Sequence, residues 1–137
     1  MINFQDQDVI AVFVVNGHKI KYLNTRDPKM LPWKELDVDV VLECTGAFRG
    51  KKSNEFHIEQ GARKVLISAP GESDMDATVV YGVNHEILKS SDIFVSNASC
   101  TTNGLAPLVK VIQDEIGIKS GLMNTIHSYT NDQSLLD

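Results

Sequence analysis

The feature that most constrains the fold of this chain is a strand pattern, a helical pattern and a second strand pattern in direct succession. Residues 38–43 (VDVVLE) and 64–68 (KVLIS) have the length and composition of buried strands, and a helical segment from about Ser53 to Gln60 separates them. Two further short apolar segments extend the series, at 78–81 and 92–96. Strands joined by brief connections through a helix pair in parallel, so the sequence predicts an α/β fold with helices packed over a parallel sheet.

A hairpin is predicted before this series. Two β-rich segments, Val9–Val15 and His18–Leu23, flank the dipeptide Asn16-Gly17. Asparagine and glycine accept the positive φ angles of a two-residue type I′ turn, and this turn joins antiparallel strands.

Composition excludes several classes of protein. The chain has 137 residues, 42% hydrophobic and 23% charged, as is typical of one soluble globular domain. A net charge of −5 with scattered lysines and arginines argues against nucleic-acid binding, and no apolar run is long enough to span a membrane. Two cysteines provide no disulfide framework, which favours a cytoplasmic location, and no cysteine or histidine pair has zinc-ligand spacing, so no metal is predicted.

The segment Ser96–Asn103 (SNASCTTN) places Cys100 at the predicted start of a helix. Ser99 is a candidate N-cap, and apolar residues follow at helical spacing (Leu105, Leu108, Val109, Ile112 and Ile116). The helix dipole and free backbone N–H groups stabilise a thiolate at that position, and the thiolate is the nucleophilic form of cysteine. The alternative is a small, buried structural cysteine.

Small polar residues follow three of the predicted strands. Thr45-Gly46, Ser68 and Ser96-Asn97 lie at their carboxyl ends, where open parallel sheets bind ligands. The alternative is ordinary turn chemistry. His127 follows an apolar run, Gly121–Ile126, interpreted as a strand, and an intervening helix and returning strand permit it to meet Cys100. A structural histidine is the alternative there.

The sequence resembles phosphorylating glyceraldehyde-3-phosphate dehydrogenases over roughly residues 9–137. The resemblance is specific because many separate motifs occur in the order found in that family. They are VNG at 15–17, RDP at 26–28, LPW at 31–33, TG at 45–46, GARKV at 61–65, ISAP at 67–70, GVNH at 82–85, SNASCTTN at 96–103, LAP at 105–107 and TIHSYT at 125–130.

The resemblance implies an oxidation through a covalent intermediate. Cys100 would attack the aldehyde of glyceraldehyde 3-phosphate, hydride would pass to NAD or NADP, and inorganic phosphate would release 1,3-bisphosphoglycerate from the resulting thioester. By similarity, His127 is the catalytic base. Matching positions assign substrate and phosphate oxygens to Ser99, Thr101 and Thr130. They assign the cofactor to Thr45, Gly46 and Ser68.

The resemblance also implies a division of the chain and reveals departures from the family. Residues 1–97 correspond to a partial Rossmann-type NAD(P)-binding domain, and residues 98–137 to the first helix and strand of an α+β catalytic domain. The Gly-rich pyrophosphate motif and the acidic residue that reads the ribose do not occur, so NAD and NADP are not distinguished. Gly104 stands where a second cysteine is common, and Cys44 where a serine is common. We therefore interpret the sequence as a middle piece of the enzyme and expect little or no turnover from it alone.

Two alternative functions stay open at this point. Erythrose-4-phosphate dehydrogenase shares the cysteine motif, although Ser128–Gln133 is more similar to the triose-phosphate enzyme. The second alternative is that the chain is a non-catalytic remnant that associates with full-length subunits. The family is usually homotetrameric, and its interface elements correspond largely to positions beyond Asp137.

Overall fold

The computed structural model describes residues 9–130, which begin with the predicted hairpin. Strands β1 (Val9–Val15) and β2 (His18–Leu23) pair antiparallel, with Val15 opposite His18. Asn16 and Gly17 have φ angles of +49° and +81°, as a type I′ turn requires. The hairpin prediction is therefore confirmed.

A four-stranded parallel sheet forms the centre of the molecule and confirms the α/β class. Its strands stand in the order β3-β4-β6-β5, and all neighbours are parallel. Their bounds are Val40–Glu43 for β3, Lys64–Ile67 for β4, Ala77–Thr78 for β5 and Phe94–Ser96 for β6. All four carboxyl ends lie at one edge of the sheet, because the strands run in the same direction.

Helix α1 (Lys51–Glu59) connects β3 to β4 and packs on one face of the sheet. Alternate residues of the strands are buried beneath it, including Val41, Val65 and Ile67. Gly61 ends this segment with a φ of +104°, and a Cβ at that position would lie 2.6 Å from the Cβ of Lys34. Gly61 therefore serves both the left-handed turn and the close approach of residue 34.

The opposite face of the sheet is exposed at β3. Val40 and Leu42 of β3 retain 47% and 64% of their accessible surface, and their neighbours Val41 and Glu43 are buried. Leu66 and Val95, on the same face of β4 and β6, are half-buried, so within residues 9–130 this face is open chiefly at β3, whereas parallel sheets ordinarily have helices on both faces.

Helix α2 (Cys100–Glu115) begins where it was predicted, and Gly117 follows its end with a φ of +82°. None of its residues is buried, so the predicted apolar face is present but uncovered. Short 3-10 helices occupy Pro28–Met30 and His85–Ile87. No helix within residues 9–130 is long and apolar enough to cross a bilayer.

The strand expected over Gly121–Ile126, the first strand of the α+β catalytic domain, is wrong for this structure. Residues 118–130 form no regular element, and Leu122 and Ile126 are 99% and 98% exposed. A strand needs a hydrogen-bonded neighbour, and none of the described strands lies beside this segment.

Candidate active site

Cys100 is the first residue of α2, directly after an N-cap. The Ser99 hydroxyl accepts a hydrogen bond of 3.0 Å from the backbone N–H of Thr102. This leaves the N–H groups of Cys100 and Thr101 at the open end of the helix, beside the cysteine side chain. Cys100 is exposed, so the buried structural cysteine considered above does not describe it.

The structure brings Cys100 and His127 together across 27 positions of sequence. The Cys100 Sγ lies 3.5 Å from the His127 Nε2, within the range of a sulfur hydrogen bond. The His127 Nδ1 lies 2.6 Å from the carbonyl oxygen of Ser128. Because a carbonyl only accepts, Nδ1 carries a proton, and Nε2 of the neutral ring is left to accept the proton of the thiol.

This contact makes Cys100 more acidic than an ordinary thiol. The hydrogen bond between Cys100 and His127 is the main cause that lowers the pKa of Cys100, and the backbone N–H of Thr101 acts in the same direction. Desolvation opposes both effects. A cysteine with a lowered pKa, exposed at a helix N-terminus beside an imidazole, has the properties of a reactive nucleophile.

Two of the three residues assigned to substrate oxygens lie beside the cysteine. The hydroxyls of Ser99 and Thr101 are 3.0 Å apart at the start of α2. Thr130 is exposed and follows His127 by three residues. An anion at this helix terminus would meet hydroxyl groups and free N–H donors.

The residues assigned to the cofactor lie at the carboxyl ends of two adjacent strands. Thr45 and Gly46 follow β3, Ser68 follows β4, and all three are exposed. The N–H of Ser68 donates to the Glu43 carbonyl oxygen at 3.0 Å, which holds the two strand ends together. Gly46 has a φ of +75° and open space where a Cβ would project, so a ligand can approach its backbone closely.

A buried polar cluster beneath Thr45 was not predicted from the sequence. The Glu43 carboxyl group accepts a 2.6 Å hydrogen bond from the Thr45 N–H and lies 3.5 Å from His57 Nε2. The indole of Trp33 donates to His57 Nδ1 at 2.9 Å. Glutamate on an otherwise apolar strand was the one available signal, because burying a carboxyl group requires partners.

Two side chains that hold the turn before Cys100 were also missed. Ser96 is completely buried at the end of β6, and Asn103 lies in the first turn of α2. Both belong to the segment Ser96–Asn103, but spacing alone does not show that their side chains bind the backbone. No group of three or more metal-ligating side chains occurs in the described part of the chain.

The fold and the site together define the class of protein. It is an α/β protein with a cysteine–histidine pair near the carboxyl edge of its parallel sheet. Two family models match this chain. Residues 3–51 match the NAD binding domain of glyceraldehyde 3-phosphate dehydrogenase, and residues 99–137 match its C-terminal domain. The two matches together span more than half of the sequence. The chain belongs to the glyceraldehyde-3-phosphate dehydrogenase family.

Individual bacterial relatives agree with this assignment. The chain is 59% identical over 125 residues to the plasmid-encoded glyceraldehyde-3-phosphate dehydrogenase of Cupriavidus necator, a match that covers 91% of the chain. It is 58% identical over 123 residues to the Pseudomonas aeruginosa enzyme and 52% identical over 136 residues to glyceraldehyde-3-phosphate dehydrogenase 2 of Bacillus subtilis, covering 90% and 96% of the chain. The chain spans 37%, 36% and 40% of the length of these three relatives.

Proposed function

We propose that this chain carries the catalytic cysteine of a dehydrogenase that converts glyceraldehyde 3-phosphate, inorganic phosphate and NAD or NADP into 1,3-bisphosphoglycerate. The observation that carries the proposal is the 3.5 Å contact between Cys100 Sγ and His127 Nε2 at the N-terminus of α2. Such a pair supplies a thiolate near neutral pH and a base beside it.

Cys100 and His127 perform the covalent part of this reaction. The Cys100 thiolate attacks the aldehyde carbon and the C=O π bond opens, while the oxygen takes the proton that His127 Nε2 had received from the thiol, giving a thiohemiacetal. His127 Nε2 takes this proton back from the hydroxyl as the carbon gives up its hydride, which re-forms the C=O bond and leaves a thioester on Cys100. An oxygen of inorganic phosphate then attacks the thioester carbon, and the carbon–sulfur bond breaks to regenerate the thiolate.

The start of α2 stabilises the charges that develop. The Cys100 N–H is proposed to donate to the oxygen of the tetrahedral intermediate. The hydroxyls of Ser99, Thr101 and Thr130 are proposed to bind substrate and phosphate oxygens. This role is supported by the proximity of Ser99 and Thr101, whose oxygens are 3.0 Å apart beside the cysteine.

The residues at the strand ends fit part of a dinucleotide. The exposed Thr45 and Ser68 offer hydroxyl groups, and the open backbone at Gly46 permits close approach. When bound, the nicotinamide supplies the acceptor for the hydride that leaves the substrate carbon. Thr45, Gly46 and Ser68 would hold the cofactor at the carboxyl edge of the sheet, the edge from which α2 begins.

Domain organisation and partners follow from the same proposal. Residues 1–97 belong to the cofactor domain and residues 98–137 to the catalytic domain. The whole enzyme is proposed to act as a cytoplasmic homotetramer. The two free thiols suit a reducing compartment.

A chimera tests this function. Replacing the matching segment of the Cupriavidus necator enzyme with this chain should give an enzyme that reduces NAD or NADP with glyceraldehyde 3-phosphate and phosphate. Cys100→Ser in the same chimera removes the nucleophile and should abolish turnover. A folded chimera that does not form 1,3-bisphosphoglycerate would contradict the proposal.

Substrate choice is measured with the same chimera. Faster turnover of erythrose 4-phosphate than of glyceraldehyde 3-phosphate would favour the alternative dehydrogenase. We expect the opposite order, because Ser128–Gln133 is more similar to the triose-phosphate enzyme.

A further inference from the structure

We propose that Ser96 and Asn103 are positioning residues for Cys100, and that they hold the turn formed by residues 97–99 from its two sides. The proposal deepens the function proposed above, since it concerns the same nucleophile. It rests on hydrogen bonds from these two side chains to the backbone on both sides of the turn.

The Ser96 hydroxyl connects the turn to the neighbouring loop after β4. Its oxygen accepts hydrogen bonds from the N–H groups of Ala98 (3.1 Å) and Gly71 (3.0 Å) and donates to the Ala69 carbonyl (2.8 Å). Ser96 has no accessible surface, so water cannot replace these contacts. A Cβ on residue 71 would lie 2.9 Å from the Cβ of Ser96, which shows how closely the loop approaches.

Ala98 has an unfavourable backbone conformation in this turn, which other contacts must stabilise. Its φ is +58°, in the left-handed region that residues with a Cβ rarely occupy. This conformation directs the chain from the end of β6 into α2 within three residues, and Cys100 follows at once. The hydrogen bond from the Ala98 N–H to buried Ser96 is lost if the turn relaxes to an ordinary conformation.

Asn103 holds the turn from the helix side. Its side-chain Nδ2 donates to the carbonyl oxygens of Asn97 at 2.6 Å and Ser99 at 3.0 Å, one on each side of Ala98. Cys100 follows this turn directly, and its Sγ lies 3.5 Å from the His127 Nε2. A displacement of the turn therefore moves the sulfur relative to the imidazole.

Cysteine alkylation of the full 137-residue chain tests the proposal. Rates for Cys100 and Cys44 with iodoacetamide are measured separately by peptide mass spectrometry between pH 5 and 10, in the parent, Ser96→Ala and Asn103→Ala chains. We expect both substitutions to raise the pH of half-maximal Cys100 alkylation and to slow it about three- to tenfold at pH 7, because less thiolate forms. The Cys44 rate should not change.

Ser53→Ala is the matched control. The Ser53 hydroxyl accepts from the Gly50 N–H at 3.1 Å and donates to the Gly50 carbonyl at 2.9 Å, in the first turn of α1. Its loss removes comparable backbone hydrogen bonds far along the chain from the cysteine, so it should lower thermal stability and leave the Cys100 pH profile unchanged.

The possible outcomes separate this proposal from the function on which it rests. A Cys100 alkylation pH profile like that of the parent in both variants would overturn the positioning role of Ser96 and Asn103. Loss of helical circular dichroism in both variants would also overturn it, because the two residues would then be purely structural. If Cys100 of the parent reacts no faster than Cys44, the thiolate pair itself is refuted and both proposals fail.

Discussion

At the scale of single residues, the chemistry of Cys100 depends on neighbours from two different parts of the chain. The helix start supplies free N–H groups at residues 100 and 101, and His127 supplies the imidazole. The Ser128 carbonyl selects the ring tautomer that faces the sulfur. The local sequence provides the first of these effects, whereas the second depends on the path of residues 116–130.

The His127→Asn substitution tests the contribution of the imidazole. We expect the pKa of Cys100 to rise toward the ordinary value of about 9.0, because its principal hydrogen-bond partner is lost. Alkylation at pH 7 should slow several-fold, whereas Cys44 in the same sample should react as before. An unchanged pH profile would show that the helix terminus alone sets the acidity of the thiol.

At the scale of elements, β3 and α1 are joined by the buried cluster of Trp33, Glu43 and His57. Burial lowers the pKa of His57, and the Glu43 carboxylate, which accepts from the ring at Nε2, only partly offsets this effect. The neutral ring accepts the Trp33 indole N–H at Nδ1. A protonated ring has a hydrogen on both nitrogens and would oppose that donor, so acid weakens the contact between strand and helix.

The direction of the pH effect follows from proton binding. Below the ordinary histidine pKa of about 6.5, the unfolded chain binds a proton at His57 that the folded chain resists. The free energy of unfolding should therefore fall as the pH drops below about 6.5, by at most about 1.4 kcal/mol per pH unit. Urea unfolding at pH 7.5, 6.5 and 5.5, followed by the fluorescence of the single tryptophan, measures this free energy of unfolding.

Two variants identify the group responsible. His57→Gln should remove much of this pH dependence, and His18→Gln, which changes an exposed residue of β2, should retain it. Parent-like acid sensitivity in the His57→Gln chain would assign the effect to other groups.

The elements that were predictable from sequence are those fixed by local signals. Asn16-Gly17 determines the hairpin, Ser99 the start of α2 and Gly61 the end of α1. The helix start at Lys51 was missed by two residues because Gly50 carries no side-chain cap signal. The strand prediction at 121–126 was wrong, because an apolar pattern does not show whether a neighbouring strand is present to pair with those residues. The contacts of Ser96 with Ala69 and Gly71, and of His57 with Trp33, join residues 24 or more positions apart, which spacing does not reveal.

At the scale of the whole molecule, much apolar surface lies open within residues 9–130. The outer face of β3, the apolar side of α2 and the segment after it are all exposed. On its other edge β3 has no partner among the described strands, and open strand edges and large apolar surfaces favour association with further polypeptide.

We therefore expect the chain alone to show little turnover. The cysteine pair is assembled, but much of the surface around it lacks packing partners, so substrate and cofactor would be held poorly. NAD reduction by the purified chain should not exceed that of its Cys100→Ser variant, whereas the chimera described above should be active. A rate close to that of the chimera would contradict this expectation.

The strand order also determines when the sheet can be completed during synthesis. Strand β5 leaves the ribosome before β6, yet Ala77 and Thr78 pair only with Val95 and Ser96. Until residue 96 has emerged, β4 lacks its second neighbour and β5 has none. Of these four strands β6 is translated last and inserts between β4 and β5, so this sheet stays unfinished until the residues just before Cys100 are available.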